Sequence, residues 1–218
     1  MSSPLISATL ALLVGVLGYV LPVERVVAEL ARAREDAPPL RIEARLSGIV
    51  PAWPERVVLE LHPDFGLRVS DDQGGQWLMR QGQLVMGNTR RAPLWIPNIE
   101  ILALRHEQDL LTWLARARVN LGRNELARCG ESDCYVLGGI GRGGQVWLET
   151  ERFEVLRLVL PGGRELLLEG YASWTGIRFP RTIKVLDSHG ELATLTIESL
   201  SRARDLSEED FLAPVAPG

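Results

Sequence analysis

Leu40, Ile42, Ala44 and Leu46 alternate along the chain with Arg41, Glu43, Arg45 and Ser47. A period of two places the apolar set on one face and the charged set on the other, which predicts a strand with one dry side. Comparable stretches recur at short intervals, at 56–61, 66–70, 76–80, 83–87, 126–129, 135–140, 145–150, 155–160, 165–172, 181–186 and 191–200. Turn-forming runs separate them, among them Asp71-Asp72-Gln73-Gly74-Gly75, Pro161-Gly162-Gly163 and Asp187-Ser188-His189-Gly190. Short strands punctuated in this way predict a mainly antiparallel β meander forming one domain. Two stretches change period. Val23, Val27, Leu30 and Ala31 recur at helical spacing and predict a short amphipathic helix that ends by Pro38-Pro39. From His106 to Val119 a second stripe of Leu110, Leu111, Trp113, Leu114 and Ala117 predicts a helix stopped at Asn120-Leu121-Gly122. A helix inserted into a meander must pack on one sheet face or close one end, so this one is a candidate plug or lid.

The segment from Leu5 to Val23 is apolar almost throughout, without a charge before Glu24 and Arg25. Its length suits a signal peptide's apolar core or a short spanning anchor, and a buried N-terminal helix is the third alternative. The first two readings put Glu24 onward outside the cytoplasm. They divide the chain into a leader or anchor over 1–23, a folded domain over 24–214 and a short tail over 215–218. The whole chain is 218 residues long with a formal net charge of -4. Arginines alternate with Asp and Glu instead of forming a basic stripe, so nucleic acid is not an expected partner. The two cysteines, Cys129 and Cys134, lie either side of four residues. In an oxidising compartment this spacing predicts a disulfide that staples a hairpin, since no further Cys or His stands near to complete a zinc site.

Convergent catalytic groups are hard to find in this sequence. His62, His106 and His189 fall in a strand-end turn, a helix start and a hairpin turn, with no metal-ligand spacing between them. The glycine-rich run from Gly138 to Gly144 lacks the helix and lysine of a phosphate loop and reads as a turn. Ser173 and Ser188 lie outside any nucleophile-elbow context, and Glu149 with Glu151 reads as solvated charge on a wet strand face. No catalytic residue, metal or cofactor is therefore expected. The distinctive feature is the aromatic inventory: six tryptophans are spread over strands, the inserted helix and loops. They are either ordinary core and rim residues, or inward faces bearing Trp77, Met79, Leu84, Met86 and Trp147 leave an apolar cavity unfilled.

Several stretches resemble the LolA/LolB family of bacterial lipoprotein carriers and the broader group of outer-membrane lipoprotein-sorting-like proteins. They are Leu67-Arg68-Val69-Ser70-Asp71-Asp72 leading to Gln76-Trp77-Leu78-Met79, and Gln145-Val146-Trp147-Leu148-Glu149 with Phe153-Glu154-Val155-Leu156-Arg157-Leu158. To these add Phe179-Pro180-Arg181-Thr182-Ile183-Lys184-Val185 before 192–200, and the ending Leu206-Ser207-Glu208-Glu209-Asp210-Phe211. In that ending Ser207 is placed to cap a short helix, with Asp210 three residues on. The resemblance spans roughly 24–214 and implies a half-open antiparallel barrel, or a strongly curved sheet of about ten or eleven strands, with helices covering the concave face. The family's lid-locking arginine has no counterpart in matching context here.

The resemblance further implies a monomeric periplasmic carrier or chaperone for lipoprotein acyl chains or another envelope lipid, working between an inner-membrane donor and an outer-membrane acceptor without catalysis. An envelope-stress sensor of similar fold and an unrecognised β-barrel hydrolase are the alternatives. Alternation assigns Ile42, Ala44 and Leu46, Leu59 and Leu61, Trp77 and Met79, Leu84 and Met86, Trp147, and Ile183 and Val185 to the concave, lipid-binding side. Leu110, Trp113, Leu114 and Ala117 are then the apolar face of the lid.

Overall fold

The computed structural model describes residues 20–48, 54–87, 96–141 and 143–212. Most of the leader or anchor segment, and the tail, lie outside them. The first helix, α1 (Val23–Arg32), starts at Pro22, whose missing N–H costs nothing at a helix start. It buries Val23, Val26, Val27, Leu30 and Ala31 along one stripe and shows Glu24, Arg25 and Arg32 to solvent. Five strands follow as a meander: β1 (Leu40–Gly48), β2 (Arg56–His62), β3 (Gly66–Asp71), β4 (Gln76–Arg80) and β5 (Gln83–Gly87). In β1 the apolar set is buried and Glu43, Arg45 and Ser47 are exposed, as the alternation predicts.

A 3-10 helix (Ile96–Leu102) and the helix α2 (Glu107–Arg116) then lead to the opposite end of the sheet. From there the chain walks back inward through β6 (Asn124–Cys129), β7 (Ser132–Leu137), β8 (Gln145–Glu149), β9 (Val155–Val159) and β10 (Glu165–Glu169). A separate hairpin of β11 (Ala172–Trp174) and β12 (Ile177–Phe179) precedes β13 (Thr182–Asp187) and the long β14 (Gly190–Arg202), which pairs with β1. The main sheet thus runs β5-β4-β3-β2-β1-β14-β13-β10-β9-β8-β7-β6, antiparallel throughout. It is curved and does not close, because β5 and β6 are its two ends.

This is the half-open architecture expected above, with twelve strands in the sheet instead of ten or eleven and an additional two-stranded hairpin. Neighbours in sequence are neighbours in space except at β1–β14, at β10–β13, where the β11–β12 hairpin intervenes, and in the helical crossing from β5 to β6. Both helices contribute to one apolar cluster with a single face of the sheet. Among the described residues no helix is long and apolar enough to cross a membrane. Cys129 and Cys134 are disulfide-bonded, stapling the β6–β7 hairpin as expected. The closing turn also follows the sequence: the Ser207 amide donates to Asp210 Oδ2 at 2.9 Å, starting the 3-10 helix Glu208–Phe211.

Candidate functional site

Period-two alternation carries the inward side chains of five meandering strands and their later partners onto one surface. Ile42, Ala44 and Leu46 from β1, Leu59 and Leu61 from β2, Trp77 and Met79 from β4, and Ile183 and Val185 from β13 all join the buried cluster. The apolar stripe of α2 meets them: Leu110, Trp113 and Leu114 are buried and Ala117 is half-buried against the same cluster. The structure therefore gathers these residues between the sheet and the helices.

Three residues assigned inward from sequence lie elsewhere. Trp147 sits on the opposite face of β8 from the buried Val146 and Leu148. Its ring lies under the Arg157 guanidinium, 5.1 Å away, and its indole N–H donates to Gln145 Oε1 at 2.9 Å. Leu84 is 50% exposed and Met86 only half-buried, because β5 is an edge strand with a register shift against β4 between Leu78 and Met79.

Polar contacts between side chains and backbone hold the helices over this interior. The Arg34 guanidinium, just past α1, donates to the carbonyls of Ile101 and Leu104 beside the 3-10 helix. Burial lowers its pKa to about 10, against the opposing influence of nearby Tyr171. Burial raises the Tyr171 phenol well above its ordinary value, and its hydroxyl donates to the Val155 carbonyl at 2.8 Å.

Glu100, 1% exposed, reaches from the 3-10 helix to the β4–β5 turn and accepts the amides of Gln81 at 2.7 Å and Gly82 at 2.5 Å. Gln81 and Gly82 both have positive φ, 51° and 76°, the two-residue hairpin geometry that leaves its N–H groups pointing away from the ladder. From α2, Asp109 Oδ1 accepts the Gln81 side-chain amide at 3.2 Å, and Arg116 donates to the Gln81 carbonyl at 3.0 Å. Burial pushes the Glu100 carboxyl above its usual range, with the Gly82 and Gln81 amides pulling it back.

The helix α2 is also tied at both ends. Arg105 donates to both Asp64 oxygens at 2.9 and 2.6 Å, and His106 Nε2 lies 2.9 Å from Oδ1. Burial alone would raise the Asp64 carboxyl, but the bonds from Arg105 and His106 hold it below its usual value. At the other end the Gly144 amide donates to the Arg118 carbonyl at 3.3 Å. A Cβ on Gly144 would stand 2.1 Å from the Ala117 carbonyl oxygen, so only glycine permits this approach. The glycine-rich run is thus a turn, as expected, and it also docks the end of α2. Sequence reading missed Arg34 and Glu100 because their partners are backbone groups that no side-chain pattern displays.

Within the interior, the indole N–H groups of Trp77 and Trp113 have no hydrogen-bond partner among the described residues. Buried donors left unpaired cost about 1–3 kcal/mol each. At one end, a cleft of about 530 Å³ opens between the segment after α1, Leu102 and Ala103, the β8–β9 turn and the β11–β12 hairpin. Its walls carry Arg32, Arg34, Arg152, Arg178 and Arg202, and Leu40, Ala103 and Phe179 from the apolar cluster also line it. Among the described residues no group of three or more His, Cys, Asp or Glu side chains is placed to hold a metal ion. His62 stacks on Phe65 at 4.1 Å between ring centroids, and His189 lies in the β13–β14 turn.

The fold and interior describe an open antiparallel half-barrel whose concavity is occupied by two helices. No protein-family profile and no curated protein matches the chain. Three solved structures are similar in chain path. A LolA superfamily protein from Nitrosomonas europaea is 14% identical with a TM-score of 0.49, covering 88% of this chain and 97% of that one. A DUF1329 family protein from Desulfovibrio piger is 12% identical with a TM-score of 0.46, covering 87% and 97%. A domain assigned to outer membrane lipoprotein sorting from Vibrio parahaemolyticus is 13% identical with a TM-score of 0.41, covering 86% and 97%.

Proposed function

We propose that this chain is an envelope carrier or chaperone that takes acyl chains between the concave sheet and its helices, without covalent chemistry. The observation that carries the reading is an apolar interior closed by helices that are held through side-chain-to-backbone contacts at Arg34, Glu100 and Arg116. Such a closure can open without breaking a strand pairing.

The magnitudes put exchange near balance. Roughly ten acyl methylenes contribute about 8 kcal/mol on burial. Against this stand the closing hydrogen bonds, about 1–4 kcal/mol a set, and the apolar burial of the α2 stripe, so an entering chain must refill the surface that the helix side chains leave. In this reading the segment over 1–23 is an export leader or inner-membrane anchor, and the protein is a periplasmic monomer receiving lipid or lipoprotein from an inner-membrane donor for an outer-membrane acceptor.

Native mass spectrometry on protein expressed in an exporting host tests the reading. Retained lipid is expected, released when the helices are loosened by the Arg34→Ala change. Protein that emerges without lipid, and that takes none up from lipid vesicles, overturns it.

A further inference from the structure

We infer that the arginine-walled cleft at the end of the half-barrel is a site for the anionic phosphate headgroup of a lipid, its chains passing into the interior beneath the helices. The inference rests on the acyl-chain reading and adds to it the charge and chemistry of the headgroup.

The cleft is an electrostatic exception. On a chain of net charge -4, its lining combines five arginines with only two carboxylates, Asp36 and Glu154. Arg34 is committed to the Ile101 and Leu104 carbonyls, Arg32 to Glu29 at 2.7 Å, and Arg178 to Glu154 at 2.8 Å. Among the described residues, Arg152 and Arg202 enter no ion pair, and both are exposed at the cleft. An arginine presents a planar fork of donors that matches phosphate oxygens. Two of them on the lining of one cleft, with three further arginines on the same lining, form a recognition surface for an anion.

The rest of the lining explains why a lipid is favoured over a free ion. Phe153, Tyr171 and Ile177 line the cleft and pack on the apolar cluster, and Leu40, Ala103 and Phe179 belong to it. The cleft is therefore polar at its rim and floored by residues of the apolar cluster. Its volume of about 530 Å³ lies within the roughly 300–1,000 Å³ of small-ligand sites. A phosphate held by Arg152 and Arg202 places the glycerol esters of its own lipid over that apolar base. A free phosphate would leave the base bare.

Calorimetry on the full chain separates the possibilities, using dihexanoyl phosphatidylglycerol, dihexanoyl phosphatidylcholine and inorganic phosphate, with the lipids below their micelle concentrations. The anionic lipid is expected to bind at least tenfold tighter than the zwitterionic one, with a preference that shrinks as salt is added. Inorganic phosphate should bind far more weakly than either lipid. The exposed double variant Arg152→Glu, Arg202→Glu should lose the preference, weakening phosphatidylglycerol more than phosphatidylcholine because only the former has a net negative headgroup. Equal affinity for the two lipids, or a preference that survives the double variant, overturns the headgroup site and leaves the acyl-chain reading standing. Phosphate binding as tight as phosphatidylglycerol makes the cleft a free-anion site and overturns the lipid assignment. Failure of both lipids to bind overturns both readings.

Discussion

Replacing Glu100 with alanine removes the acceptor for two amides at once, those of Gln81 and Gly82, and exposes how much of the lid's attachment that one carboxylate supplies. Each donor left without a partner costs about 1–3 kcal/mol. The β4–β5 turn is half-buried, so water can reach part of the vacated space and the smaller figures apply. Gln81 also holds a left-handed conformation at φ 51°, which costs a non-glycine residue roughly 1–2 kcal/mol and needs such an anchor. The Glu100→Ala protein should therefore lose about 2–4 kcal/mol of stability, read as a lower urea midpoint with an unchanged slope. Hydrogen exchange should quicken selectively in the 3-10 helix Ile96–Leu102 and in α2, the elements the turn secures. Glu100→Gln keeps one acceptor oxygen and should cost about half as much. If Glu100→Ala lies within about 0.5 kcal/mol of the parent, the size expected of a surface change, the carboxylate does not hold the lid. The same follows if the two substitutions cost the same.

Titration gives a second handle on Glu100. Burial, the largest influence, raises its folded-state pKa above the usual 4.5, so the folded protein binds the proton more tightly than the unfolded chain. Stability relative to Glu100→Gln should rise as the pH falls from above the folded pKa toward 4.5, and the opposite slope in urea titrations would refute the assignment. Trp77→Glu places an unpaired charge in the interior and should abolish lipid retention in folded protein, whereas Glu43→Lys on the exposed face of β1 should leave it intact. Lipid still bound by folded Trp77→Glu would remove that face from the site. Trp147→Ser, on the outer face, should cost about 1 kcal/mol through the lost Arg157 contact and leave lipid retention unchanged. Reducing the Cys129–Cys134 bond opens a loop of sequence separation 5, so calorimetric melting should show a loss of about 2 kcal/mol with the proposed lipid retention unchanged.

Strands with one wet face were legible in the sequence because alternation encodes burial directly, as in β1 and β13. Where both faces are apolar, the phase is ambiguous. In β8, Val146, Trp147 and Leu148 are consecutive, and the inward assignment of Trp147 put it on the wrong side. Its flanking partners at alternate positions, Gln145 and Glu149, carried the correct phase. The predicted strand over 135–140 is displaced because the cysteines enclose a tighter turn than four residues. Cys129 pairs with Ser132 around Gly130 at φ 64°, so β7 begins at Ser132, and Gly138 at φ 96° follows its end at Leu137. The hairpin of β11 and β12 was missed because three residues are too few to show a period. Its signal was Thr175-Gly176, both with positive φ in the turn. Of the site, the apolar inner face and the helix stripe were readable. The arginine cleft was not, since Arg34, Arg152 and Arg202 come together only through the fold.

The pairing of β1 with β14 has a kinetic consequence. Every other contact between strands in the sheet joins segments close in sequence, so 40–87 and 124–187 can each zip up as a local meander. The nine residues of β1 must wait for the last strand to be made before they gain their second neighbour. The sheet therefore has a seam at its centre that closes last, and the apolar edges of both halves remain unpaired until then. A chain interrupted before Gly190 would hold two half-sheets with sticky inner borders. Aggregation of such fragments, while the complete chain stays dispersed, is the behaviour this order of assembly imposes.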